Sequence, residues 1–380
     1  MHTSSLTTNE LQRYARHFIL PNVGIDGQKK LRSAKVLIVG LGGLGSPVAL
    51  YLAAAGIGTL GLIDNDRVEL SNLQRQIIHT TADAGRLKVE SAMEKILLLN
   101  EHVSVKMYPM QLTSDNTLQI FQEYDIIVDG TDNYPTRYLI NDGCVLLKKI
   151  MVYGSIFRFE GNVSVFDSSA NSPCYRCIYP APPPPSLVQN CAEAGVLGVL
   201  PGIIGTLQSA EVLKCILKTG ETLAGKMLCV DALTMRFETL NVRRNKECEV
   251  CGDAPTITSL IDYEQFCNPS HTKNTMYEEI TVVALQQKIT QQKEFILLDV
   301  RQPEEYAIAN LKGILIPLNE LPTRYTELDI SKEIVVYCHH GMRSANAVQF
   351  LLQKGFTKVK NLAGGINEWS QKIDTSVPLY

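Results

Sequence analysis

The chain has 380 residues, which predicts two or three domains because a single hydrophobic core stops growing near about 250–300 residues. With 45% hydrophobic and 20% charged residues, the composition is globular and excludes disorder as the main state. The 36 basic and 39 acidic side chains give a net charge of −3, so no basic surplus exists to bind nucleic acid or an anionic membrane.

The N-terminal segment and the longest uncharged run argue against export and membrane insertion. Residues 1–10 are polar and lack the apolar core of a secretory signal. The uncharged run at 36–63 is long enough to span a bilayer, but seven glycines and Pro47 interrupt it. We therefore expect a cytoplasmic protein with no membrane partner. In such a compartment its ten cysteines are more often metal ligands or catalysts than disulfides.

From Lys35 the chain alternates strand-like and helix-like runs, which is typical of a mostly parallel sheet covered on both faces. The predicted strands are 35–39, 59–63, 103–107 and 125–128, and the predicted helices are 46–55, 86–100 and 114–122. After Ile150 the pattern changes to strand–turn–strand. Residues 157–159 and 162–166 are predicted as added antiparallel strands about a turn at Glu160 and Gly161.

A second alternation of strands and helices begins at Tyr277, with strands predicted at 296–300 and 334–337 and a helix at 344–354. The region before it is rich in Pro, Ser, Thr, Asn and Asp and has little periodicity, as linkers do. The predicted organisation is a first domain at 1–253, a linker at 254–276 and a second domain at 277–380.

The motif GLGGLG at residues 40–45 follows a predicted strand and opens a predicted helix, as G-x-G-x-x-G loops do. Its glycines let backbone amides approach a phosphate at the N-terminus of the helix. Asp64 ends the next strand, where a carboxylate can accept hydrogen bonds from ribose hydroxyls. These features alone also fit an NAD-dependent oxidoreductase, or a tight turn with no ligand.

Two further segments favour a nucleoside triphosphate over nicotinamide. The motif SNLQRQ at 71–76, followed by Lys88, supplies two cations and several amide groups near the nucleotide loop. The motif DGTDN at 129–133 places Asp132 at the carboxyl end of a strand, where an aspartate can carry Mg²⁺ against phosphates. Residues 131–133 could equally do no more than cap the helix that follows.

The order and spacing of these motifs resemble those of the MoeB/ThiF adenylyltransferases, relatives of the ubiquitin-activating enzymes. The motifs that carry the resemblance are RYAR at 13–16, the glycine loop, Asp64, SNLQRQ, Lys88 and TDN at 131–133. The resemblance covers about residues 5–253. It implies a Rossmann-like doubly wound fold and ATP-dependent adenylylation of the C-terminal Gly-Gly of a ubiquitin-like sulfur-carrier protein. It also implies a homodimer, because Arg16 matches an arginine that reaches into the partner subunit's site. The implied nucleotide-binding residues are Gly40, Gly42, Gly43, Gly45, Asp64, Ser71, Asn72, Leu73, Gln74, Arg75, Lys88, Asp132 and Asn133, with Asp132 holding Mg²⁺.

Two C-x-x-C pairs, Cys174 with Cys177 and Cys248 with Cys251, predict a closed tetrahedral Zn²⁺ site. One such pair could be a redox pair, but two favour structural zinc, and MoeB-like proteins carry the same two pairs. Cys191 follows a proline run and matches a cysteine that, in some members of the family, attacks the acyl adenylate or joins a sulfur relay. A functional role and a spectator role for this thiol both stay open.

Cys338 begins the motif CHHGMRS at 338–344, between a predicted strand and a predicted helix. Backbone amides, the helix N-terminus and Arg343 would each stabilise a thiolate or persulfide there. With LDVR at 298–301 and LAGGI at 362–366, the loop resembles that of a small α/β rhodanese domain, which implies that Cys338 carries the sulfane sulfur. Phosphatase loops are similar, but they have five residues between Cys and Arg, and this loop has four.

The predicted function joins two reactions: adenylylation of the carrier, then sulfur transfer from a Cys338 persulfide to give a thiocarboxylate, first of all in molybdopterin biosynthesis. ATP, Mg²⁺ and Zn²⁺ are the expected cofactors, and thiosulfate or a cysteine desulfurase is the expected donor. The alternatives are an NAD-dependent oxidoreductase, a non-catalytic carrier-binding scaffold, and carrier activation that ends in a Cys191 thioester.

Overall fold

The computed structural model describes residues 6–168, 172–183, 195–267 and 277–380. These residues form two compact units. The N-terminal unit contains the described residues up to Cys267, and the C-terminal unit contains residues 277–380.

The N-terminal unit is an eight-stranded sheet with helices on both faces. Its strands are β1 (Lys35–Val39), β2 (Thr59–Ile63), β3 (Ser104–Tyr108), β4 (Ile126–Asp129), β5 (Ile150–Phe157), β6 (Glu160–Asp167), β7 (Lys226–Asp231) and β8 (Arg236–Asn241). Its helices are α1 (Thr8–Arg13), α2 (Ala15–Phe18), α3 (Gly24–Ser33), α4 (Gly45–Ala55), α5 (Lys88–Leu99), α6 (Thr117–Gln122), α7 (Tyr134–Leu147), α8 (Tyr175–Ile178), α9 (Leu200–Leu217) and α10 (Tyr263–Cys267).

The strand order is β3-β2-β1-β4-β5-β6-β7-β8. The pairs from β3 to β5 are parallel and the pairs from β5 to β8 are antiparallel. The predicted fold class, a Rossmann-like mostly parallel sheet with added antiparallel strands, is confirmed. The order reverses between β1 and β4, so a crevice opens at the carboxyl ends of these two strands, where open α/β sheets bind ligands.

The apolar run of β1 serves both faces of the sheet because successive side chains of a strand point in opposite directions. Val36 and Ile38 pack with α4 and α5 on one face, and Leu37 and Val39 pack with α6 and α7 on the other. All four are buried, which explains why the strand shows no polar alternation.

The antiparallel hairpin differs from its prediction. Its turn falls at Arg158 and Phe159, because Phe157 already pairs with Glu160. Arg158 takes a φ of 53°, the left-handed value that the turn requires. Gly161 lies inside β6 instead, where a side chain would meet Ile204 of α9 at 2.5 Å. The predicted turn at Glu160 and Gly161 was wrong because that glycine serves helix packing.

One helix of the described residues, α9, is long and apolar enough by composition to cross a membrane. It packs against α4, β5 and β6, and both Ile204 and Val212 are fully buried. It is therefore a core helix of the N-terminal unit. The side-chain amide nitrogen of Gln208, on this helix, donates to the carbonyl oxygen of Asp129 at 2.8 Å.

The first part of the predicted linker packs against the N-terminal unit. Tyr263 and Cys267 of α10 are buried in the cluster that contains Tyr138 of α7. The rest of that segment, residues 268–276, lies outside the described residues.

The C-terminal unit is a five-stranded parallel sheet in the order β11-β10-β12-β13-β9. Its strands are β9 (Glu278–Ile280), β10 (Ile296–Asp299), β11 (Ile314–Leu315), β12 (Ile334–Tyr337) and β13 (Val359–Leu362). Its helices are α11 (Val282–Thr290), α12 (Pro303–Ile308), α13 (Leu321–Arg324), α14 (Met342–Gln353) and α15 (Gly365–Lys372). Strand β12 is buried on both faces. Because β12 is the central strand, its carboxyl end and the following loop lie at the middle of one edge of the sheet.

Candidate functional site

The glycine loop leaves β1 through Gly40, whose φ of 88° favours glycine. A Cβ at Gly40 would lie 2.8 Å from the carbonyl oxygen of Gly130, which follows β4. A Cβ at Gly45, where α4 begins, would lie 1.9 Å from the carbonyl oxygen of Gly40. The backbone of the loop is therefore in direct contact with other backbone atoms, which leaves no room for side chains at Gly40 and Gly45. The loop leads into α4 at the β1–β4 crevice.

Asp64 and Lys88 are held at one side of this loop. The Asp64 carboxylate accepts hydrogen bonds from the Leu41 amide at 2.7 Å and the Asp66 amide at 2.8 Å. Asp66 in turn accepts from the Lys88 ammonium at 2.8 Å. The Lys88 side chain is only 7% exposed, so its neighbours fix the position of the ammonium group.

The SNLQRQ segment also lies against this loop. A Cβ at Gly43 would lie 3.0 Å from Pro201 of α9 and 3.6 Å from Cγ of Arg75, so Arg75 flanks the loop. The Arg75 guanidinium donates to the Ser71 carbonyl oxygen at 3.1 Å. The other predicted members differ in exposure: Asn72 is buried, Leu73 is half-buried, and Ser71 and Gln74 are exposed.

The segment after β4 combines a buried ion pair with exposed polar groups. Asp129 accepts from the Thr131 hydroxyl at 2.6 Å and from Nε of Arg137 at 3.1 Å. Asn133 caps α7 by accepting from the Thr136 amide at 2.9 Å, as the capping alternative predicts. Asp132 is exposed at the carboxyl edge of the sheet. Sequence reasoning missed Arg137, because its role depends on a buried partner.

Arg16 lies away from the glycine loop of its own chain. It is exposed on α2, two residues after Tyr14, whose hydroxyl lies against Gly56 at the end of α4. The loop is at the other end of α4, and this helix of 11 residues is about 16 Å long.

The two C-x-x-C pairs lie together, as the predicted metal site requires. The sulfur of Cys174 lies 3.9 Å from that of Cys177 and 3.6 Å from that of Cys248, and Cys177 lies 3.3 Å from Cys251. Zn–S bonds of about 2.3 Å in a tetrahedron require sulfur atoms about 3.8 Å apart. All four sulfurs lie within 4.8 Å of one another, so the cluster could hold a zinc ion.

Arg176, between the first two cysteines, anchors the cluster to the rest of the unit. Its guanidinium makes a buried pair with Asp142 of α7, with N–O distances of 2.8 and 2.9 Å. The Tyr263 hydroxyl donates to the same carboxylate at 2.8 Å, which ties α10 to the pair. Sequence reasoning missed this pair, whose members are far apart in the chain.

Cys338 directly follows β12 and is fully buried. The Gly341 amide donates to its sulfur at 3.1 Å, and Oγ of Ser344 lies 3.4 Å from it. Gly341 takes a φ of 98° and immediately precedes α14, so the sulfur faces the positive end of that helix. This arrangement stabilises negative charge on sulfur.

The Arg343 guanidinium is turned toward Glu305 of α12. It makes two hydrogen bonds to that carboxylate, at 2.7 and 2.8 Å. Burial opposes ionisation of Glu305, but the bonds from Arg343 hold its pKa below the ordinary value. The predicted cation of the loop thus forms a bidentate ion pair. The Cys338 sulfur accepts from the Gly341 amide, whereas the Ser344 hydroxyl, 3.4 Å from that sulfur, donates to Oδ1 of Asn361 at 2.7 Å.

His339 and His340 differ in exposure. His339 is 7% exposed, and its ring packs against that of Tyr380 with centroids 4.6 Å apart. Burial and the neighbouring His340 lower the pKa of His339 to about 4, so its ring is neutral at neutral pH. His340 is exposed.

A glycine loop flanked by fixed cations, together with a cysteine held under amide donors, defines an enzyme class that combines nucleotide and sulfur chemistry. Residues 14–250 match the ThiF family, and residues 281–372 match the rhodanese-like domain. The chain belongs to the ThiF family and carries a C-terminal rhodanese-like domain.

Two similar proteins match nearly the whole length of the chain. The "Probable adenylyltransferase/sulfurtransferase MoeZ" of Mycobacterium tuberculosis is 41% identical over 386 residues, covering 99% of this chain and 97% of that protein. The "Adenylyltransferase and sulfurtransferase MOCS3" of Drosophila virilis is 42% identical over 393 residues, covering 99% and 87%. Among solved structures, E. coli MccB with ATP superimposes with a TM-score of 0.57 at 26% identity, covering 65% of this chain and 75% of that one.

The chain is therefore an adenylyltransferase and sulfurtransferase. These comparisons favour an enzyme with both activities over the nicotinamide oxidoreductase and over the non-catalytic scaffold. Cys191, the predicted thiol of the alternative that ends in a thioester, lies outside the described residues.

Proposed function

We propose that this enzyme adenylates the C-terminal Gly-Gly carboxylate of a ubiquitin-like sulfur-carrier protein and converts it into a thiocarboxylate with sulfur from a Cys338 persulfide. The observation that carries the proposal is the presence, in one chain, of the cation-flanked glycine loop and the amide-held Cys338 sulfur. The names of the two relatives, which pair an adenylyltransferase with a sulfurtransferase, support it.

In the first reaction, a carboxylate oxygen of the carrier attacks the α-phosphorus of ATP. A bond forms between that oxygen and phosphorus, the bond to the β-phosphate oxygen breaks, and pyrophosphate leaves. Negative charge grows on the phosphate oxygens, so preorganised cations lower the barrier. Arg75 and Lys88 supply those cations, and the loop amides of Gly42 and Gly43 supply hydrogen-bond donors.

We also propose that a magnesium ion binds in the crevice. Mg²⁺ in nucleotide sites binds one or two carboxylates together with substrate phosphates, and Asp132 presents an exposed carboxylate at the carboxyl edge of β4. When bound, the ion would neutralise charge on the triphosphate. Asn133, whose side-chain oxygen caps α7, would position this turn rather than bind the ion.

In the second reaction, the terminal sulfur of the Cys338 persulfide attacks the acyl carbon, and AMP leaves with the electron pair of the broken C–O bond. A thiolate then attacks the Cys338 sulfur of the resulting acyl disulfide: the S–S bond breaks, the thiocarboxylate leaves, and a disulfide forms between Cys338 and that thiol, which the thiol reductant of the solution reduces for the next turnover. The Gly341 amide holds the sulfur of Cys338 during both steps. Cys191 is our candidate for the thiol, and a Cys191 thioester is the competing route.

We further propose that the enzyme works as a cytoplasmic homodimer, with thiosulfate or a cysteine desulfurase as sulfur donor and molybdopterin biosynthesis as its pathway. The position of Arg16 supports the dimer, because this arginine lies near the far end of α4 from its own glycine loop. A partner subunit's Arg16 would complete the site.

The test is the intact mass of Gly-Gly-ending carriers after incubation with the full-length enzyme, ATP, Mg²⁺, thiosulfate and a thiol. We expect one carrier oxygen to be replaced by sulfur with the wild type and with the control variant Cys229→Ala. We expect no replacement with Cys338→Ala, whose pyrophosphate exchange should stay within about twofold of wild type. Thiocarboxylate formation by Cys338→Ala at the wild-type rate would contradict the proposal.

A further inference from the structure

His79 is a buried histidine beneath the glycine loop, and neither the motifs nor the reaction described above uses it. Its side chain bridges two elements: Nδ1 lies 2.8 Å from Oγ of Ser91 in α5, and Nε2 lies 3.2 Å from the carbonyl oxygen of Leu41. The histidine is 5% exposed and Ser91 is fully buried, so these bonds are shielded from water.

The geometry selects one tautomer of the ring. The Leu41 carbonyl oxygen can only accept, so Nε2 of His79 carries the proton and donates it. Burial lowers the pKa of His79, which keeps the ring neutral near pH 7. In a neutral ring Nδ1 then accepts, and the Ser91 hydroxyl donates.

The two bonds close a ring of contacts around the loop. The Leu41 amide donates to Asp64, the Asp66 amide donates to the same carboxylate, and Lys88 bonds Asp66. Lys88 opens α5, the helix that carries Ser91 three residues on. The glycine loop and the Lys88 ammonium are thus joined through His79 on one side and through Asp64 on the other.

The direction of one peptide plane follows from this contact. A trans peptide is planar, so its N–H points opposite to its C=O. Because the Leu41 carbonyl points inward to His79, the Gly42 amide of the same plane points outward, away from the core. Gly42 is partly exposed, and a glycine offers little resistance to rotation of the plane.

We propose that His79 is a positioning residue for the nucleotide: its Nε2–H holds the Leu41–Gly42 peptide so that the Gly42 amide faces the phosphates. This inference rests on the proposed nucleotide site. Without the bond from His79, the plane is free to turn and the amide is lost as a phosphate donor.

Two amide variants separate this role from simple packing. In His79→Gln, the side-chain nitrogen reaches the place of Nε2 and can donate to the Leu41 carbonyl. In His79→Asn, the amide reaches only the place of Nδ1 and can meet Ser91. His79→Ala removes both bonds, and His102→Ala, beyond the other end of α5, is the matched control.

The measurements on the full-length enzyme are the dissociation constant for MgATP and the KM and kcat of ATP–pyrophosphate exchange, below the melting temperature of every variant. We expect Ala and Asn to raise the dissociation constant and KM for ATP about five- to tenfold, and Gln to stay within about threefold of wild type. The control should match wild type.

Equal effects of Gln and Asn, or wild-type ATP binding by His79→Ala, would overturn the role of His79. A wild-type enzyme that binds ATP but shows no carrier-dependent exchange would instead contradict the proposed function. In that case the ATP affinities of the His79 variants, compared with that of the wild type, would still test the role of His79. A wild type that binds no ATP would overturn both.

Discussion

At the scale of single residues, the clearest electrostatic consequence belongs to His339. Burial and the charges of His340, Arg343 and Arg301 lower its pKa to about 4 in the folded chain, against an ordinary value of 6.5, while the Glu305 carboxylate opposes the shift. Between pH 4 and pH 6.5 this histidine binds a proton in the unfolded chain but not in the folded chain. Stability is therefore complete above pH 6.5 and falls as the pH drops toward 4, by up to about 3 kcal/mol.

We predict that His339→Gln flattens this pH dependence, whereas His340→Gln retains it. The reporter is Trp369, the only tryptophan of the chain, which packs in the core of the C-terminal unit. Denaturant unfolding followed by its fluorescence at pH 4.5 and pH 7 measures the effect. A wild-type stability that does not change between these pH values would refute the assignment.

The sequence identifies residues whose chemistry is local and misses those whose partners are distant. The position of Cys338 between a strand and a helix was predictable from the sequence. Glu304 and Glu305 stand side by side in the sequence, and only the packing of α12 against the loop selects Glu305 as the partner of Arg343. The contact of His79 with Leu41, 38 positions away in the chain, gives no sequence signal at all.

At the scale of elements, the glycine loop depends on its missing side chains. A methyl group at Gly45 would meet the Gly40 carbonyl oxygen at 1.9 Å, while one at Gly202 in α9 would meet nothing within 4 Å. We predict that Gly45→Ala reduces ATP–pyrophosphate exchange at least about a hundredfold by displacing the loop. Gly202→Ala should keep the exchange rate, and the idea fails if both variants behave alike.

The cysteine cluster makes a separate prediction about stability. Cys174→Ser should lose bound zinc and lower the melting temperature of the N-terminal unit by about 10 °C, because a structural metal adds its binding energy to folding. The Trp369 transition of the C-terminal unit should not move. Cys215→Ser, a half-buried thiol outside the cluster, is the control. Metal analysis that finds no zinc in the wild type would contradict this account.

Elements were predicted well where one pattern controls them. The strands β1, β2 and β12 have the predicted bounds, since each is a short buried apolar run between turn signals. The hairpin turn was misplaced because Gly161 resembles a turn residue, yet it is needed for contact with Ile204. A glycine that serves packing cannot be told from one that serves a turn without the neighbouring helix.

At the scale of the whole molecule, the proposed homodimer can be tested by complementation. If Arg16 acts in the partner's site, mixing Arg16→Ala and Asp132→Ala chains should restore about a quarter of the wild-type exchange rate, because half of the dimers are mixed and each has one intact site. Each variant alone should be nearly inactive. Absence of restored activity in dimers that exchange subunits would show that Arg16 serves its own chain or none.

The central claim is that the β1–β4 crevice joins the terminal carboxylate of a carrier protein to AMP. The most direct measurement is the exchange of labelled pyrophosphate into ATP by the purified full-length enzyme with Mg²⁺, in the presence of carriers that end in Gly-Gly and of the same carriers without those two residues. The account predicts label in ATP only with the intact carrier. No label with any Gly-Gly-ending carrier, or equal label without the Gly-Gly, would contradict it.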